Sequence, residues 1–200
     1  MRIGVLGTGR VAQTMATAWT KAGHEVTLGS RDPGSKSLEV PVRPLADVVA
    51  GADVVVNATP GADSLDTLMA IGAPRFAGKV LIDVANASTP SFELVYPNSS
   101  LGEKLQDALP SAHVVKTMNT AAMTVMTDPA SLGPSSVFLS GNDADAKATV
   151  AGLLADLGWA EDAIIDLGDI TTARGVEHYF LLFAALMQAG GPKFNIRVVR

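Results

Sequence analysis

Two glycines near the start of the chain, Gly7 and Gly9, have the spacing of a turn that holds phosphate groups. In the G-x-G-x-x-G/A fingerprint the first glycine permits a tight turn and the second lets a pyrophosphate approach the backbone, while Ala12 takes the third small position. The apolar run 3–6 predicts a buried strand before the turn, and apolar residues at helical spacing predict a helix over 10–22. The first N–H groups of such a helix point at phosphates. We therefore predict a dinucleotide site that includes Gly7, Gly9, Arg10 and Val11.

The second predicted strand, 25–28, is followed by Gly29-Ser30-Arg31, where a residue that recognises the ribose of the cofactor is expected. Arg31 can make a charge-assisted fork to a 2′-phosphate, and Ser30 can add a hydroxyl hydrogen bond. An acidic residue here would instead hold the free 2′-hydroxyl of NAD. Asp32 is the alternative candidate for that role, or for capping the turn that follows. The strand end predicts a preference for NADP over NAD.

Strands and helices alternate along the chain, which predicts a doubly wound, mainly parallel Rossmann sheet of the α/β class. The further predicted strands are 53–58, 79–83, 113–117 and 136–140. The further predicted helices are 45–50, 63–69 with Asp63 as its cap, 100–108 with Ser100 as its cap in a capping box with Glu103, and 144–157 with Asp143 as its cap. The segment 38–44 is open to three interpretations: a strand, a loop or an extended connector.

Loops that follow the strands of such a sheet form its carboxyl edge, where ligands bind. Two of them are 57–61, after the third predicted strand, and 84–90, after the fourth. We expect cofactor contacts from Ala58, Thr59, Pro60, Ala85 and Asn86, the last two near the nicotinamide end. Asn119 and Thr120 follow the fifth predicted strand and are predicted to contact substrate, although both can equally cap a helix.

The last forty residues are predicted to form a small extension rather than an independent domain. Residues 1–160 would be the NADP-binding Rossmann domain, and 161–200 a strand-helix-strand extension that closes the site. Its predicted elements are a strand at 164–166, a helix over 172–189 and a strand at 194–199. The stretch 179–187 is apolar around the whole helix, which favours burial in a homodimer or against an aromatic cofactor. A helix sandwiched inside its own domain is the alternative.

Arg174 lies at the start of the predicted tail helix, where a charged side chain can reach the cleft. It is predicted as a substrate contact, with a surface ion pair to Glu177 as the alternative. None of the histidines His24, His113 and His178 has a carboxylate or hydroxyl residue at a sequence spacing that would indicate a catalytic pair. No catalytic acid or base is therefore predicted, and no spacing typical of a metal site indicates a metal.

The amino-acid composition indicates a globular protein and argues against nucleic-acid-binding and membrane-spanning classes. The chain has 200 residues, of which 48% are hydrophobic and 18% charged, as expected of a globular fold. A net charge of −5 argues against a general grip on nucleic acid, and the longest apolar stretches are far shorter than a membrane span. The chain contains no cysteine, which fits a reducing compartment. We expect a cytoplasmic protein that acts on a small redox substrate.

The sequence resembles the NADPH:coenzyme F420 oxidoreductase family, the deazaflavin-dependent NADP reductases, over almost its whole length. The matching motifs are Gly7-Thr8-Gly9, Gly29-Ser30-Arg31, Asn119-Thr120, Ser140-Gly141-Asn142-Asp143 and Asp166-Leu167-Gly168, followed by Arg174 and Glu177. The resemblance implies a homodimer that binds the 2′-phosphate of NADP through Thr8, Ser30 and Arg31. It also implies hydride transfer between the nicotinamide and coenzyme F420 or a flavin.

Two departures from the family pattern concern the second substrate rather than NADP. The fingerprint continues as Gly9-Arg10-Val11-Ala12 where the family often has Gly-Asn-Leu-Gly, and Asn119 stands where some members have a histidine. Two other functions remain open at this point. One is an imine or pyrroline-carboxylate type of NADPH reductase, whose members usually carry a long helical carboxyl domain. The other is a non-catalytic module that senses NADP.

Overall fold

The computed structural model describes residues 1–35 and 37–199, which are built around one eight-stranded sheet. The strands are β1 (Arg2–Leu6), β2 (Glu25–Ser30), β3 (Val42–Pro44), β4 (Val54–Asn57), β5 (Val80–Asp83), β6 (His113–Thr117), β7 (Val137–Gly141) and β8 (Ile164–Asp166). Their order across the sheet is β3-β2-β1-β4-β5-β6-β7-β8. Neighbouring strands are parallel except β6 and β7, which are antiparallel. The chain reverses its direction of travel between β1 and β4, and ligands of such sheets bind at this switch point.

Helices cover both faces of the sheet. They are α1 (Arg10–Lys21), α2 (Leu45–Gly51), α3 (Gly61–Ile71), α4 (Leu101–Ala108), α5 (Met123–Thr127), α6 (Ala144–Asp156) and α7 (Ala173–Gly190). Side chains alternate along each strand, so Val5 belongs to the apolar cluster on one face and Leu6 to the cluster on the other. Strands buried on both faces read as continuous apolar runs, and this is why the sequence identified them. The doubly wound, mainly parallel Rossmann-like fold is confirmed.

Two of the three predicted helix caps are confirmed. The Ser100 side chain accepts a hydrogen bond from the Glu103 N–H, and the Asp143 side chain accepts one from the Ala146 N–H. The prediction that Asp63 caps α3 is wrong. The helix begins at Gly61 with Pro60 before it, because proline has the required φ and needs no N–H there. Asp63 instead lies inside the first turn, where a carboxylate favours the helix dipole.

The carboxyl-terminal segment departs from the predicted strand-helix-strand pattern. β8 and α7 form as expected, but residues 194–199 form no strand. Both edges of β7 are already paired, with β6 and β8, and the tail hydrogen-bonds instead to Ser135 and Ser136, just ahead of β7. The Ser136 N–H donates to the Ile196 carbonyl over 2.8 Å. The segment 38–44, left open by the sequence, contributes the edge strand β3. The division of the chain near residue 160 stays a prediction.

Of the helices in the described part of the chain, none combines the length and the apolar character needed to cross a membrane.

Candidate functional site

The turn between β1 and α1 has the shape that a pyrophosphate requires. Gly7 adopts a φ of +115°, and a Cβ there would lie 2.7 Å from the Ala58 carbonyl oxygen, so only glycine fits. Gly9 has no such neighbour, since a Cβ on it would meet nothing within 4 Å. This open space lies directly at the N-terminus of α1, whose first N–H groups favour an anion. The residues present therefore fit the phosphates of a dinucleotide.

The ribose end of the site lies at the carboxyl end of β2. The Asp32 N–H donates to the Ser30 hydroxyl oxygen over 3.1 Å, which fixes the turn that presents Arg31. Within residues 1–35 and 37–199, no carboxylate lies within ion-pair distance of the exposed Arg31 side chain. These residues line a cavity of about 750 Å³, which we call the dinucleotide cavity. From the predicted set it contains Gly7, Thr8, Gly9, Arg10, Val11, Ser30, Arg31, Ala58, Thr59 and Pro60.

A second cavity, of about 610 Å³, adjoins the first and is called here the redox cavity. The two share four lining residues: Arg10, Val11, Ala58 and Thr59. The predicted residues Ala85, Asn86 and Asn119 line the redox cavity. The rest of its wall is mostly apolar. Val84, Phe183 and Met187 belong to segments that the sequence indicated near a ligand, whereas Ala121, Ala122, Met123, Met126 and Pro192 were not identified from the sequence. The structure thus brings every predicted cofactor residue to one of two joined cavities.

Two asparagines of the redox cavity hold each other in place. The Asn86 side-chain amide donates to the Asn119 carbonyl oxygen over 2.8 Å, and the Asn119 amide donates to Asn86 Oδ1 over 2.9 Å. The Asn119 amide also donates to the carbonyl oxygen of Val176 in α7 over 2.9 Å. Asn119 therefore lines the cavity, and its hydrogen bonds link its own loop to the loop that contains Asn86 and to α7. A contact between Asn119 and substrate stays a prediction.

The other two predicted substrate residues do not line either cavity. Thr120 is buried, and its hydroxyl has no hydrogen-bond partner among the described residues. The Arg174 guanidinium forms an ion pair with Glu103, with Nη2 2.6 Å from Oε1. The alternative prediction, an ion pair of Arg174 with Glu177, is wrong, because the Glu177 carboxylate is buried against α4 and β6 instead.

A buried polar network beneath the site was missed at the sequence level. In the sheet register Asn57 pairs with Asp83, and Asp83 pairs with Lys116. The Asn57 amide donates to Asp83 Oδ1 over 2.9 Å, and Lys116 Nζ lies 2.8 Å from Asp83 Oδ2. The Thr59 hydroxyl donates to Asn57 Oδ1 over 2.6 Å, which ties the network to the wall shared by the two cavities. The signal that could have revealed it is a lone lysine inside the apolar strand 113–117.

A further arginine lies close to the ribose end. Arg75, in the short 3-10 helix Ala73–Phe76, lines a cavity of about 610 Å³ together with Arg31. That cavity shares Arg31, Leu45, Asp63 and Thr67 with the dinucleotide cavity. The dinucleotide cavity thus continues past its ribose end into a space between α2 and α3.

Comparisons with known proteins agree with this geometry. Residues 2–87 match the family described as NADP oxidoreductase, coenzyme F420-dependent. A candidate F420-dependent NADP reductase from Arthrobacter sp. FB24 is 47% identical over the full length of both chains, and its structure superposes with a TM-score of 0.94. The metalloreductase STEAP3 of Rattus norvegicus is 28% identical over 88% of this chain.

That alignment covers 36% of STEAP3, so the chain spans about a third of the length of the curated relatives it matches. An imine reductase from Streptomyces aurantiacus covers 94% of this chain and 62% of its own, with a TM-score of 0.67. At 15% identity this likeness concerns the fold alone. The 47% identity over the full length of both compared chains, together with the family match at the nucleotide motifs, decides the assignment. The chain belongs to the family of coenzyme F420-dependent NADP oxidoreductases.

Proposed function

We propose that the protein transfers hydride between NADP(H) and a deazaflavin, or a flavin, held in the redox cavity. The observation that carries this proposal is that the dinucleotide cavity and the mostly apolar redox cavity adjoin each other and share lining residues. The dinucleotide cavity has the phosphate turn and the strand end with Arg31, whereas the redox cavity is mostly apolar. A dinucleotide held in the first cavity reaches the second through the residues that the two share.

The residues of the dinucleotide cavity have distinct tasks in this proposal. The open space at Gly9 and the N-terminus of α1 receive the pyrophosphate. Arg31 and Ser30 bind the 2′-phosphate through charge-assisted hydrogen bonds. The family resemblance implies the same role for Thr8. Since Arg31 has no ion-pair partner among the described residues, its charge is available to the phosphate.

The residues of the redox cavity act by position and by excluding water. The nicotinamide, when bound, supplies or accepts the hydride. Met123, Met126 and the α7 side chains Phe183 and Met187 form apolar walls that suit a flat ring system and keep water out. The interlocked pair Asn86 and Asn119 fixes one wall. Holding two rings in register accounts for a large part of such a rate enhancement, because hydride transfer needs little covalent chemistry from the protein.

Turnover with defined acceptors tests the proposal. NADPH oxidation is followed by its absorbance in the presence of coenzyme F420, FMN or FAD, and reduction of F420 is followed by loss of its visible absorbance. We expect turnover with at least one of the three, and no comparable rate with NADH. Tight NADPH binding without turnover on any of them would contradict the proposal and favour a sensing module. Turnover with a cyclic imine alone would favour the imine reductase type.

A further inference from the structure

One lysine lies fully buried in the sheet between two carboxylates. Lys116, on β6, is 0% exposed, and its Nζ lies 2.8 Å from Asp83 Oδ2 and 2.9 Å from Glu177 Oε1. It also donates to the Ala85 carbonyl oxygen. Asp83 ends β5 and Glu177 belongs to α7, so one ammonium group joins two strands and the tail helix.

Both carboxylates have further partners, and these extend the cluster to the site. Asp83 Oδ1 accepts hydrogen bonds from the Asn57 amide and from the N–H of Ala85. Glu177 accepts hydrogen bonds from the N–H groups of Leu101, over 2.8 Å, and Gly102, over 3.0 Å, in the first turn of α4. Two contacts therefore fix Ala85, which lines the redox cavity, while two others fix the start of α7 against α4.

Burying the three charged side chains of the cluster costs free energy, but their hydrogen bonds hold the joined elements at fixed distances and angles. Burial alone would lower the pKa of Lys116, but the two carboxylates raise it above its usual value, so the lysine keeps its charge. Well-packed apolar residues of similar size often stabilise a fold as well as a buried ion pair does. Ionic hydrogen bonds differ from apolar contacts in fixing the angles and distances between the elements they join. The contacts of the cluster therefore fix how β5, β6 and α7 lie relative to one another.

We propose that Asp83, Lys116 and Glu177 are a positioning cluster that couples α7 to the loop 84–86, so that the two parts of the redox cavity wall that they supply keep a fixed separation. Loop 84–86 gives one wall, and Phe183 and Met187 of α7 give another. The coupling itself follows from the contacts, whereas its effect on turnover rests on the proposed function.

The main test removes the charges while keeping the shapes. The triple variant Asp83→Asn, Lys116→Met, Glu177→Gln avoids leaving two buried carboxylates without a cation, which would be strongly destabilising. Its control is Lys147→Met, Asp166→Asn, which removes another lysine ion pair, of 2.8 Å, from residues that line neither cavity. Hydrogen exchange is measured on peptides that cover 84–90 and 173–187. We expect faster exchange in both segments of the triple variant and in neither segment of the control.

If the triple variant does not fold, the single variant Glu177→Gln still allows the coupling to be tested by hydrogen exchange. Glu177→Gln keeps the size of the side chain and one acceptor oxygen, but it removes the charge that faces Lys116 and leaves one of the two α4 N–H groups without its acceptor. The proposal expects this change in α7 to accelerate exchange in loop 84–86, on the other side of the cluster. Unchanged exchange in that loop, in a folded Glu177→Gln variant, would overturn the coupling.

Kinetics separates positioning from simple loss of structure. We expect the triple variant to lose roughly 10- to 100-fold in kcat, the effect of a small misplacement of reacting groups, while the NADPH dissociation constant stays unchanged. An equal loss in both, or a wild-type kcat in a folded triple variant, argues against the cluster as a positioning device. If the unmodified protein turns over no acceptor, the proposed function fails, and the exchange measurements still decide the coupling.

Discussion

Gly9 and Gly61 both lie at the start of a helix beside the candidate site, but they differ in the space around them. A Cβ on Gly9 would enter open space, whereas a Cβ on Gly61 would lie 2.0 Å from the carbonyl oxygen of Asn86. Gly61 is therefore required by the folded chain itself, because it lets α3 begin directly against loop 84–86. The space at Gly9 serves no internal contact among the described residues, and because it lies at the N-terminus of α1 it can receive a phosphate.

The variant Gly9→Ala tests this distinction. Its φ of −73° is one that alanine adopts without strain, so we expect the midpoint of thermal unfolding to stay close to that of the unmodified protein. The added methyl group would occupy the space of the pyrophosphate, so NADPH affinity should fall clearly in a fluorescence titration. Gly61→Ala is the control, and overpacking there should cost about 1–3 kcal/mol of unfolding free energy or more. Unchanged NADPH affinity in Gly9→Ala would contradict the assignment of the turn.

The choice between NADP and NAD depends on Arg31. We expect Arg31→Ala to weaken NADPH binding by about 1.5–3 kcal/mol, the usual value of a hydrogen bond to a charged group, and to leave NADH binding nearly unchanged. Isothermal titration with both cofactors measures the difference. Arg197→Ala, which changes an exposed arginine outside the two joined cavities, is the control. Equal losses for NADPH and NADH would show that Arg31 does not recognise the 2′-phosphate.

At the scale of elements, α4 and α7 are held together by two kinds of contact. Glu177 is buried against the first turn of α4. Arg174, one turn earlier in α7, forms an ion pair with Glu103 nearer the protein surface, which we call the rim pair. The hydrogen bond from Arg174 lowers the pKa of the Glu103 carboxyl, with smaller contributions from Ser100 and Ser99. The rim pair thus adds a pH-dependent contact between α4 and α7.

The variant Arg174→Met tests the rim pair through pH. Because the folded state lowers the pKa of Glu103, the pair stabilises the protein above the unfolded pKa and loses its effect as pH falls through the folded one. We expect a small loss of unfolding free energy at neutral pH, since Arg174 is about half exposed, with a side-chain exposure of 52%. In urea titrations the difference from the unmodified protein should vanish in acid. A difference that persists there would show that the lost contact is packing rather than charge.

These elements also show what the sequence could predict. The turn from β1 to α1 was predictable because its glycines, strand and helix are neighbours in the chain and obey local rules of spacing. Lys116 was missed because its meaning depends on Asp83, 33 residues away, and on a helix near the end of the chain. The partner of Arg174 was wrong for the same reason, since Glu103 lies 71 residues away in sequence. Residues 194–199 have the composition of a strand but find both edges of β7 already paired.

At the scale of the whole molecule, α7 carries apolar side chains that residues 1–35 and 37–199 leave exposed. Leu181 and Leu182 are 48% and 54% exposed, and Leu186 and Met187 continue the patch along the helix. Phe92, also exposed, stacks on Phe180 of the same helix with 6.2 Å between the ring centroids. Several large apolar side chains exposed on one helix are typical of a subunit interface. We propose that a second copy of the chain covers it, in a homodimer.

The double variant Leu181→Glu, Leu182→Lys tests the dimer. Charged side chains in the middle of the patch should prevent its burial, so light scattering should give a dimer for the unmodified protein and a monomer for the variant. Met69→Glu, which alters an exposed methionine on α3, is the control and should remain dimeric. Because Phe183 and Met187 of the same helix line the redox cavity, we expect the monomer to lose turnover while it keeps NADPH affinity. A monomeric unmodified protein at all working concentrations would refute the dimer and leave α7 exposed to a partner of another kind.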